Sequence, residues 1–430
     1  MLQDGLEYLN SRLMFGMMPG LATTRKLCEV LGNPQKKFKT IHVVGTNGKG
    51  STSYYLAGIL QAHGVKTGLY TSPHLVNMRE RIRVNDLPIN DESLDRLIMQ
   101  VKSAAEKAQV EPTFFEVLTI VAFLYYAEQS IDVAVLEAGM GGRLDSTAVA
   151  EGELIVLTSI GLEHTEVLGS TESAILKEKL GVAGSAQSIL SNGCRKTFVV
   201  GGLSEALLDE ARLYVSSHGC SCVVPEIRND VVLPNLGQHY VENASLSLKA
   251  AALFLTKEYD DSLALKALST RSWAGRMQKL IDRDGKTQFI LDGAHNSHAV
   301  RRLVEALEKY YPGQKFHCVF GALRDKDVDE MLKLMAPHVS HWHITRTPYP
   351  RFRELEDLQG ELEKLGLCVA SAGEFSREYL EKVQACVTDA SPVLITGSLY
   401  MIGATVQALK DDFDGLSFFR GMEPTTNEHR

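Results

Sequence analysis

The stretch Gly45-Thr46-Asn47-Gly48-Lys49-Gly50-Ser51 has the residue types to hold a nucleotide phosphate. Its G-x-x-G-K-G-S spacing differs from the full G-x-x-x-x-G-K-[ST] pattern but keeps the working parts. The glycines let the backbone turn tightly and aim N–H groups inward. Lys49 can reach the outer phosphates, and the Ser51 hydroxyl can serve Mg²⁺. A glycine-rich turn that binds nothing would be built from glycines alone, and Lys49 with Ser51 suits it poorly.

Other polar residues could complete that chemistry. Glu137 ends an apolar run, so its carboxylate can face a nucleotide held above Lys49. His164 follows another apolar run and could be a further ligand. With Ser51 these make an O, O, N set, although Mg²⁺ usually prefers oxygen. Asp292 could bind a ribose, orient water or hold a ligand amine, and His295 could approach a phosphate. Glu163 beside His164 does not by itself make an acid/base pair. Lys177 and Lys179 stand two residues apart and do not share a helix face, so only one of them looks into a site. His341, His343, Cys220 and Cys222 read as packing and surface residues.

These groups need elements to place them. The apolar run Ile41–Val44, the glycine turn and the helical pattern from Thr52 to Ala62 read as strand, loop and helix, with the helix N-terminus offered to the phosphates. Lys66–Tyr70 reads as a strand that delivers Thr71-Ser72-Pro73-His74. Arg79–Val84 alternates charged and branched residues and reads as an exposed strand. Asn90–Lys107 and Thr113–Ala127 read as helices, and Asp132–Leu136 and Leu154–Thr158 as buried strands. A boundary falls near Leu268–Gly275. A second α/β pattern follows, with Phe289–Leu291 as its first strand and Phe316–Phe320, His341–Ile344, Cys368–Ala370 and Val393–Thr396 as later ones. Alternating strands and helices argue for open α/β sheets, whose ligands lie beyond the C-terminal strand ends. The polar groups fall at those ends.

Composition narrows the class. The chain has 430 residues, a formal net charge of -8 and seven scattered cysteines. No basic, aromatic-interleaved stripe suggests nucleic-acid binding, and no window reads as a membrane span. Met1-Leu2-Gln3-Asp4-Gly5 does not read as a signal peptide. The expectation is a cytoplasmic enzyme, monomeric, with neither nucleic acid nor membrane as partner. The end of the tail beyond Asp411 reads as mobile.

Taken together the motifs resemble the folylpolyglutamate synthase/dihydrofolate synthase family, in the wider Mur-ligase group. The resemblance runs through Leu31-Gly32-Asn33-Pro34, Gly45–Ser51, Tyr70-Thr71-Ser72-Pro73-His74-Leu75, Glu137-Ala138-Gly139-Met140-Gly141-Gly142-Arg143-Leu144-Asp145, Leu291–Asn296 and Thr396-Gly397-Ser398-Leu399-Tyr400. The Thr-Ser-Pro-His-Leu and Gly-Gly-Arg-Leu-Asp segments point to the folate branch. The chain departs from the family pattern at Glu163, Tyr240, Ala274, Ser297 and Ala148.

The resemblance implies a Mur-ligase-like P-loop nucleotide-binding domain over 1–270 and a smaller Rossmann-like C-terminal α/β domain over 276–430. It implies ATP and Mg²⁺, with L-glutamate joined to a pteroate or folyl carboxylate through an acyl phosphate. Thr46, Asn47, Gly48, Lys49, Gly50 and Ser51, with Asn243, Arg276 and Asp292, would bind ATP. Ser51, Glu137 and His164 would hold the metal, joined by Lys179 in carbamylated form. Lys49, Lys179 and His295 would be catalytic, and Ser72, Pro73, His74, Arg143 and Asp145 would face the acceptor. Two rivals share the phosphate loop: a Mur-type ligase acting on a cell-wall precursor, and a nucleotide-binding module without catalysis.

Overall fold

A computed structural model describes residues 4–12, 20–184, 196–387, 391–420 and 422. The chain divides into two compact units. One comprises Met1–Pro73, Met78–Val232 and Tyr240–Arg271; the other comprises His74–Asn77, Leu233–His239 and Ser272–Arg430.

The first unit is built on eight strands: β1 Lys39–Val44, β2 Thr67–Tyr70, β3 Ile82–Val84, β4 Leu87–Pro88, β5 Val133–Glu137, β6 Leu154–Leu157, β7 Thr197–Val200 and β8 Ser221–Val223. They lie in the order β4-β3-β2-β5-β1-β6-β7-β8. All contacts from β2 to β8 are parallel, and β3 runs antiparallel to β2 and β4. The central strands are buried along nearly their whole length because helices cover both sheet faces. On one face Phe123 and Tyr126 of the helix Phe114–Glu128 pack with Leu9, Leu27 and Tyr70. On the other, Ile175 and Leu180 of the helix Glu172–Leu180 pack with Val44, Leu157 and Phe198. Thr113 and Glu116 form a capping box that starts the first of these helices.

The second unit carries β9 Gln278–Ile281, β10 Thr287–Leu291, β11 Phe316–Phe320, β12 Val339–Arg346, β13 Val369–Glu374 and β14 Val393–Thr396. Their order is β13-β12-β11-β14-β10-β9, parallel except for the β9–β10 pair. The short segment His74–Asn77 is part of this unit, and Val76 joins its core with Leu280, Phe289 and Ile402. The segment crosses the helix Leu399–Leu409 at Gly403, where a Cβ would stand 2.0 Å from the Leu75 carbonyl oxygen. No other residue type fits that crossing.

Two expectations change. Arg79–Val84 is a 3-10 turn, Met78–Arg81, followed by β3, and β3 is buried because it pairs on both sides and sends Ile82 and Val84 into the core. Phe289–Leu291 is not the first strand of the second unit. β9 precedes it, joined by a turn in which Asp282 Oδ1 accepts from the N–H groups of Asp284 and Lys286. His343 is buried in β12, in keeping with its reading as a packing residue. The expected mobile end of the tail lies outside the described residues. Among the described residues no helix is long and apolar enough to cross a membrane.

Candidate active site

Strand register explains how distant segments meet in the first unit. β5 and β1 pair Glu137 with Val43, β1 and β6 pair Val44 with Leu157, and β2 and β5 pair Tyr70 with Leu136. The four neighbouring ends therefore release Thr71–Pro73, Glu137, the Gly45 loop and Thr158–His164 along one edge. This is where an open parallel sheet binds ligands.

The Gly45 loop is stitched to the segment after β6. Thr46 N donates to the Ser159 carbonyl at 2.8 Å, Asn47 N to Ser159 Oγ at 3.1 Å, and Thr158 Oγ1 to the Asn47 carbonyl at 2.7 Å. Gly45 has φ +150°, and a Cβ there would lie 1.9 Å from Thr158 Oγ1. Gly48 has φ +85°, and a Cβ would lie 2.6 Å from Asn243 Oδ1. Asn243, buried on the helix Gln238–Leu255, thus lies against the turn. One turn on, Ser247 Oγ donates to the Thr52 carbonyl at 3.0 Å and holds this helix to the helix Lys49–Ala62.

Two lysines converge on one oxygen. Lys49 Nζ donates to the carbonyls of Gly45 and Thr46, each at 3.0 Å, and Lys179 Nζ donates to the Gly45 carbonyl at 2.8 Å. Lys179 is buried. Burial and then the neighbouring Lys49 charge push its amine down to about 7, against the opposing carboxylates of Glu163, Asp145 and Glu178. Lys177 turns the other way and pairs with Glu210 at 2.9 Å.

The carboxylates differ in what they do. Glu137 is buried, and its Oε2 accepts from Ser72 N at 3.0 Å, which ties the turn after β2 to the end of β5. Asp145 is occupied by its own loop, accepting from Met140 N at 3.0 Å, Thr147 N at 3.0 Å and Thr147 Oγ1 at 2.6 Å. Burial raises its carboxyl above the ordinary value despite those bonds. Arg143 Nε meets Glu178 Oε2 at 2.9 Å. His164 is exposed, with a left-handed φ of 51°, just before the short helix Thr165–Leu168. Ser51 is buried in the first turn of its helix. Among the described residues no three His, Cys, Asp or Glu side chains form a ready cluster for a metal ion. The expected set holds two of those types, Glu137 and His164, beside a hydroxyl and a lysine.

The remaining candidates lie in the second unit. Pro73 ends a stretch of the first unit, and His74, buried, begins the segment belonging to the second. Asp292, at the end of β10, accepts from Met277 N at 2.8 Å and from Ala294 N at 2.9 Å. A Cβ on Gly293 would stand 2.9 Å from Arg276 Nη1, so the guanidinium rests on that glycine. His295 Nδ1 donates to the Gly293 carbonyl at 2.8 Å. Asn296 caps the helix Ser297–Tyr310 through Ala299 N at 2.8 Å.

Both units match known families. Residues 43–251 fit the Mur ligase middle domain, and residues 275–399 fit the Mur ligase glutamate ligase domain. The dihydrofolate synthase/folylpolyglutamate synthase of Bacillus subtilis is 33% identical over 432 residues, covering 95% of this chain and 99% of that protein. The chain belongs to the dihydrofolate synthase/folylpolyglutamate synthase family. Its fold is the two-domain α/β fold of that family. The folylpolyglutamate synthase of Mycobacterium tuberculosis, solved with ADP and AMPPCP, is similar with a TM-score of 0.83 at 25% identity, covering 98% of this chain and 99% of that one. Escherichia coli FolC, solved with DHPP and ADP, is similar with a TM-score of 0.81 at 26% identity, covering 95% and 98%.

Four residues that brace these segments went unread in the sequence. Thr158 and Ser159 hold the Gly45 loop, and Glu178 pairs with Arg143. Asn235 braces the turn before Arg276, its side chain bonding Trp273 N at 2.9 Å and the Trp273 carbonyl at 3.0 Å. Each is an ordinary polar residue whose partner is far off in sequence. Only for Glu178, adjacent to Lys179, was there a local hint.

Proposed function

We propose that this family member joins L-glutamate to the carboxylate of dihydropteroate and also extends folate γ-glutamyl tails, at the expense of ATP. The observation carrying this reading is the convergence of Lys49 and Lys179 on the Gly45 carbonyl, inside a glycine turn edged by the buried Ser51 and Glu137. That is an anion cradle beside hard oxygen donors. The residues fit a Mg²⁺–nucleotide: a Cβ would fill the turn at Gly45 and Gly48, and Ser51 and Glu137 supply a hydroxyl and a carboxylate of the type Mg²⁺ takes. Ser51, Glu137 and His164 would hold the ion. Lys179, with an amine near neutrality, can carry a carbamate that adds a further oxygen ligand, since the unprotonated amine is the form that reacts with CO₂.

The ion supplies charge neutralisation on the phosphate oxygens. Thr46, Asn47, Gly48 and Gly50 would turn N–H groups to those oxygens, and Lys49 would follow the charge that moves to the transferring group. Asn243, Arg276 and Asp292 would seat the rest of the nucleotide. The acceptor carboxylate, a poor electrophile, becomes an acyl phosphate by taking the γ-phosphoryl group. Ser72, Pro73, His74 and the Arg143–Asp145 segment would orient it, Asp145 acting through the shape of its loop. His295 would stand on the glutamate and phosphate side. The glutamate amine attacks the acyl carbon, the C–N bond forms, and phosphate leaves with the oxygen it received. On this reading residues 1–270 form the ATP-binding domain and 276–430 the glutamate-ligase domain.

The test is ADP release with ATP, Mg²⁺ and L-glutamate, comparing dihydropteroate with tetrahydrofolate and recording product mass. Product from both acceptors is expected. Product from one alone restricts the activity to that branch, and no ADP release with either overturns the reading.

A further inference from the structure

The Arg143–Glu178 pair joins two parts of the first unit that the reaction needs in register. The loop Gly139–Asp145 follows β5 and carries the segment proposed above to orient the acceptor, and Glu178 precedes Lys179 in the last turn of the helix Glu172–Leu180. The join has four independent contacts. Arg143 N donates to the Glu178 carbonyl at 2.9 Å, and Arg143 Nε donates to Glu178 Oε2 at 2.9 Å. A Cβ on Gly142 would stand 2.5 Å from the Lys179 carbonyl oxygen and 3.0 Å from Lys179 Cα. A Cβ on Gly181 would stand 2.7 Å from Arg143 Cβ. Glycines at 142 and 181 therefore let the backbone of loop and helix touch, and the ion pair closes over the contact. Glu178 is only 17% exposed, so water competes weakly for its side of the pair.

We propose that Arg143 and Glu178 form a clasp that fixes the acceptor-side loop to the helix turn carrying Lys179, making both positioning residues for the ligase reaction. This rests on the function proposed above. Arg143 then serves the acceptor through Glu178 and the loop. Loosening the clasp lets Lys179 leave the Gly45 carbonyl, because the backbone that carries it is no longer pressed against Gly142. The consequence is a slower chemical step with nucleotide affinity kept, since the Gly45 loop has its own anchors at Thr158 and Ser159.

Arg143→Glu and Glu178→Arg each place like charges at the clasp, and the double swap restores an opposite pair. Two readouts are made on the full chain. In steady-state turnover each single variant should lose at least about tenfold in kcat with KM for ATP within about twofold, and the swap should recover most of it. In acetylation by acetic anhydride followed by peptide mass spectrometry, Lys179 should label faster in both single variants and return towards wild type in the swap. Lys410, buried in the second unit with its Nζ on the Met422 carbonyl at 2.8 Å, is the internal control and should not change. Single variants with wild-type Lys179 labelling, or a swap that labels like the singles, would overturn the clasp. A wild-type protein without ligase turnover would overturn the functional reading instead, and the labelling would still decide the clasp. Glu178→Gln, which keeps size and an acceptor oxygen, should give an intermediate rise in Lys179 labelling if a folding defect obscures the charge reversals.

Discussion

At the scale of single residues the site is governed by backbone oxygens and glycines as much as by charged groups. Lys49 donates to two carbonyls of its own loop and on the proposed function serves the phosphates, so Lys49→Ala removes a loop anchor and the cation together. ADP release should fall by roughly a hundredfold or more with either acceptor, and near-normal turnover would exclude the assigned role. Gly48 holds a left-handed φ with Asn243 against it. Gly48→Ala meets both a backbone cost of about 1–2 kcal/mol and a clash. Nucleotide affinity measured by calorimetry should weaken by about tenfold or more, and an unchanged affinity would show that Asn243 does not define the cradle. The glycine-lysine-serine run was legible because its chemistry is local. The partners of Lys179 were not, since Gly45 lies 134 positions away.

At the scale of elements, most strands and helices followed from apolar runs and caps, because each such signal lies within one turn or one strand. The helix Phe114–Glu128 shows why. Thr113 Oγ1 accepts from Glu116 N, while Glu116 Oε2 accepts from Thr113 N at 2.9 Å and Oε1 from Thr24 Oγ1 at 3.1 Å. Thr113→Ala should cost about 1 kcal/mol. Glu116→Ala also strands the buried Thr24 hydroxyl and should cost about 1–3 kcal/mol more. Urea unfolding of the two variants distinguishes these, and equal losses would show that the Thr24 bond contributes nothing. β9 escaped the pattern because a strand of four residues carries too little alternation, and β3, read as exposed from its alternation, is buried by neighbours distant in sequence.

At the scale of the whole molecule, each sheet buries a neutral histidine. His42 in β1 bonds the Ala150 carbonyl at 2.9 Å, and burial lowers it to about 4. His343 in β12 is also lowered to about 4, by burial and then by His317 and His341. Its Nδ1 meets Ser371 Oγ at 2.8 Å and its Nε2 meets His317 Nδ1 at 3.0 Å. Folded values below the unfolded 6.5 mean that the folded state resists protonation. The stability is complete above pH 6.5 and falls as pH drops towards 4, by about 3 kcal/mol for each group. His42→Gln and His343→Gln should each flatten that acid loss in unfolding measured at pH 7.5 and 4.5. A slope equal to wild type in both would show that these histidines do not set it.

The amino-acid sequence by itself determined the glycine-rich turn between strand and helix, the alternation of those elements and the family, because glycine-rich turns, apolar runs and short motifs are written in neighbouring residues. Tertiary structure alone decided that Lys179 and Lys49 share one carbonyl, that Arg143 turns to Glu178, and that His74–Asn77 packs in the core of the second unit. Those outcomes depend on parallel register and close packing, which bring together residues that no local pattern relates.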